Sequence, residues 1–179
     1  MPVWCSRIAD FDAAVNGIFR SAFLNTGQVC LGTERVYVER PIYEKFVQAL
    51  KEKAEAVKYG RPDDPNANYG PLISQEHRNK VLSYYAKAVE DGATVVTGGG
   101  VPDLPGELAE GSWVQPTIWT DLPETAAVVQ EEIFGPCCHI RPFDEENEAI
   151  GKAQRHRLRA GDHGLDPRSG PCASGGGKD

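Results

Sequence analysis

Apolar residues recur along this chain at two spacings. Ala13, Ala14, Ile18, Phe19, Ala22 and Phe23 repeat every three or four positions, which predicts an amphipathic helix with Asp10 or Asp12 as its cap. The run Arg35-Val-Tyr-Val-Glu39 alternates polar and apolar, as a strand does. Pro41 follows where a helix tolerates proline, and Ile42, Phe46, Ala49 and Leu50 give that helix a buried face as far as about Gly60. Residues 61–68 are dense in turn formers and read as a loop. Ser74 caps a third helix with Val81, Tyr84, Tyr85 and Ala88 on one side, and Gly92 suits the residue just past its end. Residues 93–97 form a short β-branched strand closed by three glycines, residues 113–119 a strand with Pro116 at an edge or bulge, and residues 137–143 another strand. Strands alternating with helices predict an α/β fold built on a parallel sheet, with no internal repeat.

Composition narrows the classes. At 179 residues with 40% hydrophobic and 25% charged positions, the chain is neither fibrous nor wholly disordered. It lacks any run of about 18 apolar residues, so no membrane helix is expected. The start lacks the order of a secretory signal, and five cysteines are an odd number, so a cytoplasmic location with reduced thiols is expected. A net charge of −7 offers no basic stripe for nucleic acid.

The charge is unevenly spread. Residues 1–150 hold 13 Lys/Arg against 23 Asp/Glu, whereas residues 151–179 hold 6 against 3. That tail also holds 7 of the 19 glycines and no aromatic residue, so it cannot bury enough apolar surface to order itself. Residues 161–179 are expected to be disordered, and 151–179 to lie outside the folded domain of residues 9–150.

Two segments carry candidate chemistry. In Phe23-Leu-Asn25-Thr-Gly27-Gln28-Val-Cys30, a thiol follows an apolar helix in a glycine-bearing turn. Glycine lets backbone approach a ligand, and backbone N–H groups in such a turn can hold a developing oxyanion. A thiolate there could attack a carbonyl carbon. Taken alone, such a cysteine is more often a buried structural residue. In Val128-Val-Gln-Glu131-Glu132-Ile-Phe134-Gly135-Pro136, one carboxylate could accept hydrogen bonds from sugar hydroxyls while Phe134 presses on a flat ring. Taken alone, this is more often a polar loop entering a strand. Gly98-Gly-Gly100 lacks the spacing of a phosphate cradle, and the four histidines show no metal spacing with the cysteines, so no metal is expected. Cys137 and Cys138 should point to opposite faces of their strand.

Together, residues 21–30, Tyr69-Gly-Pro-Leu-Ile-Ser74, Asp91-Gly-Ala-Thr-Val-Val-Thr-Gly-Gly99 and Glu131-Glu-Ile-Phe-Gly-Pro136 resemble the aldehyde dehydrogenase superfamily, over residues 9–150. Residues 80–85 and 113–120 look most like the branch acting on 2-hydroxymuconic semialdehyde in meta-cleavage of aromatic compounds. The resemblance implies that Cys30 is the catalytic nucleophile. Its thiolate would add to an aldehyde, hydride would pass to NAD+, and water would cleave the resulting thioester. It further implies that the Cys30 N–H forms half of an oxyanion hole, that Glu132 holds the nicotinamide ribose beside the Phe134 ring, and that Lys80 lies near the adenosine ribose. Gln28 shapes the loop without chemistry of its own.

Family members are far longer. The glycine-rich cofactor turn, the glutamate general base and the oxyanion-hole asparagine have no counterpart here, nor do the later strands through which the family forms homo-oligomers. The tail reads like a sequence in another frame, and residues 1–8 could share that origin; sequencing across codons 148–155 tests this. The expected fold is thus a truncated catalytic domain, with little NAD-dependent aldehyde oxidation of its own. Two rivals stand beside it: a non-catalytic remnant, and a thiol acyl-transfer enzyme using Cys30 without nicotinamide.

Overall fold

The computed structural model describes residues 2–6 and 10–154, with the backbone of 163–165 and 173–174. Strand β1 (Pro2–Cys5) leads into helix α1 (Phe11–Phe23), strand β2 (Arg35–Glu39) and helix α2 (Arg40–Glu55). Helix α3 (Gln75–Glu90), strands β3 (Thr94–Thr97) and β4 (Thr117–Thr120) and the single turn α4 (Ala127–Gln130) follow. Strand β5 (Cys137–Phe143), helix α5 (Glu146–Gln154) and the short strands β6 (His163–Leu165) and β7 (Ala173–Ser174) complete the chain. The sheet runs in the order β3-β4-β5-β2-β1-β6-β7. Its centre is parallel, as the alternation predicts; β3 and β7 pair antiparallel at the two edges.

Local chemistry sets the ends of the helices. Asp10 Oδ1 accepts the Ala13 N–H at 3.0 Å, and Ser74 Oγ accepts the His77 N–H at 3.1 Å, each satisfying a donor that the first helical turn leaves free. Gly92 follows the end of α3 at φ +94°. α2 stops at Glu55, short of Gly60, because residues 58–60 bond across to the next loop: Lys58 O accepts from Asn68 N, and Gly60 N donates to Tyr69 O. β4 starts only at Thr117, since Pro116 has no N–H to offer a ladder.

The layers follow from the two periodicities. Ile18, Phe23, Phe46 and Leu50 of α1 and α2 pack on Val36, Val38, Ile118, Cys138 and Ile140 of the sheet. On the opposite face, Val81 and Tyr85 of α3 pack with Trp119, Ile133 and Cys137. Cys137 and Cys138 therefore face opposite layers, as a strand requires.

Three sequence expectations change. The sequence reading leaves residues 1–8 outside the fold, yet β1 lies inside the sheet, paired to β2 on one side and β6 on the other. Four residues are too few to display a period, and Pro2 sits at the strand start where its missing N–H costs least. The sequence places the domain's end at 150, yet α5 continues to Gln154 because Ala149 and Ala153, one turn apart, pack against Tyr37 and Phe143. Of residues 161–179, expected disordered, His163–Leu165 and Ala173–Ser174 pair as strands: the open edge of β1 offers backbone partners that need no apolar burial. The rest of that segment lies outside the described residues.

His139 gives the fold a pH dependence. It is buried on β5 in register with Arg35 of β2, and its Nε2 has no hydrogen-bond partner. Burial first, then the charges of Arg141 and Arg35 against the opposing Asp121, push its pKa from 6.5 down to about 4. The fold thus holds neutral imidazole, while the unfolded chain takes up a proton below its ordinary value. Stability from this group is complete above about pH 6.5 and is lost as pH falls towards 4, a loss on the order of 3 kcal/mol. Urea midpoints should show the His139→Leu variant losing less stability than the parent over that window; equal losses would refute this role.

Candidate active site

Three loops meet at the carboxyl end of α1. The first, residues 24–32, leaves the helix through consecutive residues in the left-handed region: Asn25 (φ 51°), Thr26 (φ 56°) and Gly27 (φ 72°). Such backbone is costly for Asn and costlier for β-branched Thr, so it persists only where the surroundings hold it. Here Thr26 Oγ1 donates to Gly70 O at 3.0 Å, and Asn25 Nδ2 donates to Gln28 O at 3.1 Å. Gln28 Oε1 accepts the Ile73 N–H at 3.0 Å. The second loop, residues 70–74, therefore acts as a splint for the first, and Gln28 shapes the turn as expected.

The third loop, residues 131–136, packs directly on the first. A Cβ on Gly27 would stand 2.1 Å from the Gly135 carbonyl oxygen, so the two backbones touch at a distance that only glycine allows. A Cβ on Gly135 would in turn stand 2.8 Å from Val81 of α3. Phe134 adopts φ 61°; with Asn25 and Thr26 it makes up three of the four described non-glycine residues at positive φ. Among the described non-glycine residues, left-handed backbone is thus concentrated in the two loops that carry the candidate chemistry.

Cys30 is exposed at the turn closed by the Gly32 N–H to Val29 O bond, whereas Cys5, Cys137 and Cys138 are buried. The common fate of a free cysteine, structural burial, is therefore not that of Cys30. Glu132 is exposed and Phe134 is half-buried on the third loop. Lys80 is exposed on α3, its Nζ 5.8 Å from the centroid of the Tyr84 ring. Tyr84 donates to Glu131 Oε2 at 2.8 Å, a bond that with partial burial pushes the phenol up to about 12. The loops of Cys30 and of Glu132 and Phe134 are thus packed together, and Lys80 lies on the helix that supports the second of them.

Two supporting side chains escaped the sequence reading. Glu34 Oε1 accepts the N–H groups of Ile133 at 3.1 Å and Phe134 at 2.9 Å. Burial raises its pKa, opposed by those two N–H bonds. A ring nitrogen of His77, Nε2, lies 2.7 Å from the carbonyl oxygen of Phe134. Neither residue belongs to a motif; the only signal for Glu34 was a carboxylate directly before a strand otherwise destined for burial. Among the described residues, no group of three or more His, Cys, Asp or Glu could hold a metal ion. No helix there is long and apolar enough to cross a membrane.

Cys30 is thus an exposed thiol in a loop with left-handed backbone, and that loop is packed against a glycine-tight acidic loop of an α/β fold. The model of the aldehyde dehydrogenase family matches residues 2–160, and the chain belongs to that family. The match extends past residues 9–150 at both ends. The chain is 70% identical over 141 residues to 2-hydroxymuconic semialdehyde dehydrogenase of Pseudomonas sp. strain CF600, covering 79% of this chain and 29% of that protein. It is 51% identical over 148 residues to 2-aminomuconic 6-semialdehyde dehydrogenase of Pseudomonas sp., covering 83% and 30%. Betaine aldehyde dehydrogenase of Staphylococcus aureus in complex with NAD+ superposes with a TM-score of 0.84 at 37% identity, over 87% of this chain and 30% of that one. The NAD+ complex of aldehyde dehydrogenase from Bacillus cereus gives 0.82 at 36% identity, again over 87% and 30%. The chain thus spans about three-tenths of the length of the relatives it matches.

Proposed function

We propose that this chain carries the nucleophile half of an NAD+-dependent aldehyde dehydrogenase acting on a muconic semialdehyde such as 2-hydroxymuconic semialdehyde. The observation that carries the reading is the exposed Cys30 on a loop packed, through Gly27 and Gly135, against the loop of Glu132 and Phe134. The Cys30 thiolate adds to the aldehyde carbon, forming a C–S bond and an alkoxide that the Cys30 N–H helps to hold. The alkoxide carbon is then oxidised to a thioester by loss of hydride, and water releases the acid and regenerates the thiol.

NAD+ supplies the hydride acceptor when bound. The donor set fits its nicotinamide half: the Glu132 carboxylate suits ribose hydroxyls, and the half-buried Phe134 ring suits a flat heterocycle. Lys80 suits the adenosine ribose. The 70% identity to a 2-hydroxymuconic semialdehyde dehydrogenase supports the substrate class. In this reading the residues work in the cytoplasm, in a larger catalytic unit that pairs copies of itself.

The thioester step needs a general base, and the glutamate that the family resemblance implies has no counterpart in this sequence, so acylation should outrun deacylation. Mixing the chain with p-nitrophenyl acetate should release a rapid burst of nitrophenolate followed by slow turnover. The burst should fall by one equivalent per chain in Cys30→Ser. A burst of undiminished size in that variant would remove Cys30 from the chemistry. The rival in which the chain is a non-catalytic remnant predicts no burst at all.

A further inference from the structure

We propose that Glu34 is a positioning residue of this site: its carboxylate fixes the loop of Glu132 and Phe134 against the Cys30 loop by accepting two consecutive N–H groups. The inference rests on the reading of Glu132 and Phe134 as the nicotinamide contacts.

Glu34 stands where three parts of the site join. It follows Cys30 by four residues, just beyond the turn that Gly32 closes. Its own carbonyl accepts the His139 N–H at 2.8 Å, which fixes it in register with β5. Its side chain crosses to the segment that leads into β5, accepting from Ile133 at 3.1 and 3.3 Å and from Phe134 at 2.9 Å. One residue thus links the nucleophile loop, the sheet and the proposed cofactor loop.

The bonds answer a specific need. Phe134 sits in the left-handed region, which a bulky side chain adopts only under constraint. Its peptide neighbours are gripped on both sides, the N–H by Glu34 and the C=O by His77. Ile133 is fully buried, so its N–H would otherwise lack water as well as partner. A carboxylate supplies the stronger, charge-assisted form of these bonds. Glu132, adjacent in the loop, repels Glu34 and is left exposed, where a ribose could reach it.

Two charges act on Glu34. Glu132 opposes its ionisation and the amino-terminal charge favours it. Its own charge acts on Tyr84 of α3 and on Cys137 and Cys138 of β5. Burial sets the direction of its shift, upward.

The test reads the amide protons of Ile133 and Phe134 in nitrogen-15-labelled chain as pH is lowered. Both should move upfield together, following one titration above the ordinary carboxylate range, as protonation weakens the two bonds. Glu34→Gln should abolish that shared titration and raise hydrogen exchange at both amides about tenfold, while amides of Val36 and Ile140 keep their protection. Independent titrations in the parent chain, or unchanged exchange in the variant, would overturn the proposal. If the variant does not fold, the parent titration alone decides. A second arm adds nicotinamide mononucleotide, which should shift the Glu132 and Phe134 signals in the parent and bind about fivefold more weakly in Glu34→Gln. If the nucleotide moves neither signal in the parent, the cofactor reading fails while the amide titration still judges Glu34.

Discussion

Gly27→Ala is expected to force the two central loops apart and to destabilise the fold by about 3 kcal/mol or more. Two independent costs add. Gly27 sits at φ 72°, where any Cβ is strained. That Cβ would also meet Gly135 O at 2.1 Å, Gly135 C at 2.2 Å and the Pro136 nitrogen at 2.6 Å. All three are backbone atoms, so no side chain can rotate out of the way, and one loop must shift. The third loop is held from behind by Val81, by Glu34 and by His77, which leaves the Cys30 loop as the part that moves. Its splints, Thr26 to Gly70 and Gln28 to Ile73, should break with it. Equilibrium unfolding in urea reads the loss. A variant within about 0.5 kcal/mol of the parent would show that the loops do not touch as described.

The second large effect is chemical selectivity among thiols. Iodoacetamide should alkylate Cys30 at least about a hundredfold faster than Cys5, Cys137 or Cys138, because buried thiols react only through openings that a stable fold makes rare. Burial adds to the contrast by disfavouring their thiolates: Cys5 is pushed up to about 11, Cys138 to about 12, and Cys137 well above its ordinary value. Peptide mass mapping at short times assigns each site, with Cys172 outside the described residues. Comparable rates at Cys30 and Cys137 would mean that the thiol is sealed, or that the fold opens readily.

Much of this fold is legible in the sequence. Asp10 and Ser74 announced their helices, because a capping side chain acts on donors only three residues away. The α1 stripe marks a buried face, since burial on one side imposes a period; β2 alternates in sequence yet is buried on both faces, because β1 and β5 flank it and helices cover both sides of the sheet. What the sequence hid was non-local or too short to have a period. β1 is four residues long, and its place inside the sheet depends on two partners distant in the chain. α5 buries only two alanines, a signal too small to separate from its polar neighbours. At the site, the family motifs marked Cys30, Glu132 and Phe134, and the structure brings their loops together. The grip of Glu34 on residues 99 and 100 positions further along leaves no local trace, because a carboxylate before a strand looks like any other surface acid.

The proposed chemistry requires Cys30 to be a thiol that an aldehyde can reach and capture. The most direct measurement is the rate of iodoacetamide alkylation at Cys30 in the presence of 2-hydroxymuconic semialdehyde, with the corresponding carboxylic acid as control. Capture as a thiohemiacetal should slow labelling of Cys30 in proportion to aldehyde concentration and leave it unchanged with the acid. An unchanged rate at saturating aldehyde, or equal protection by the acid, would contradict it.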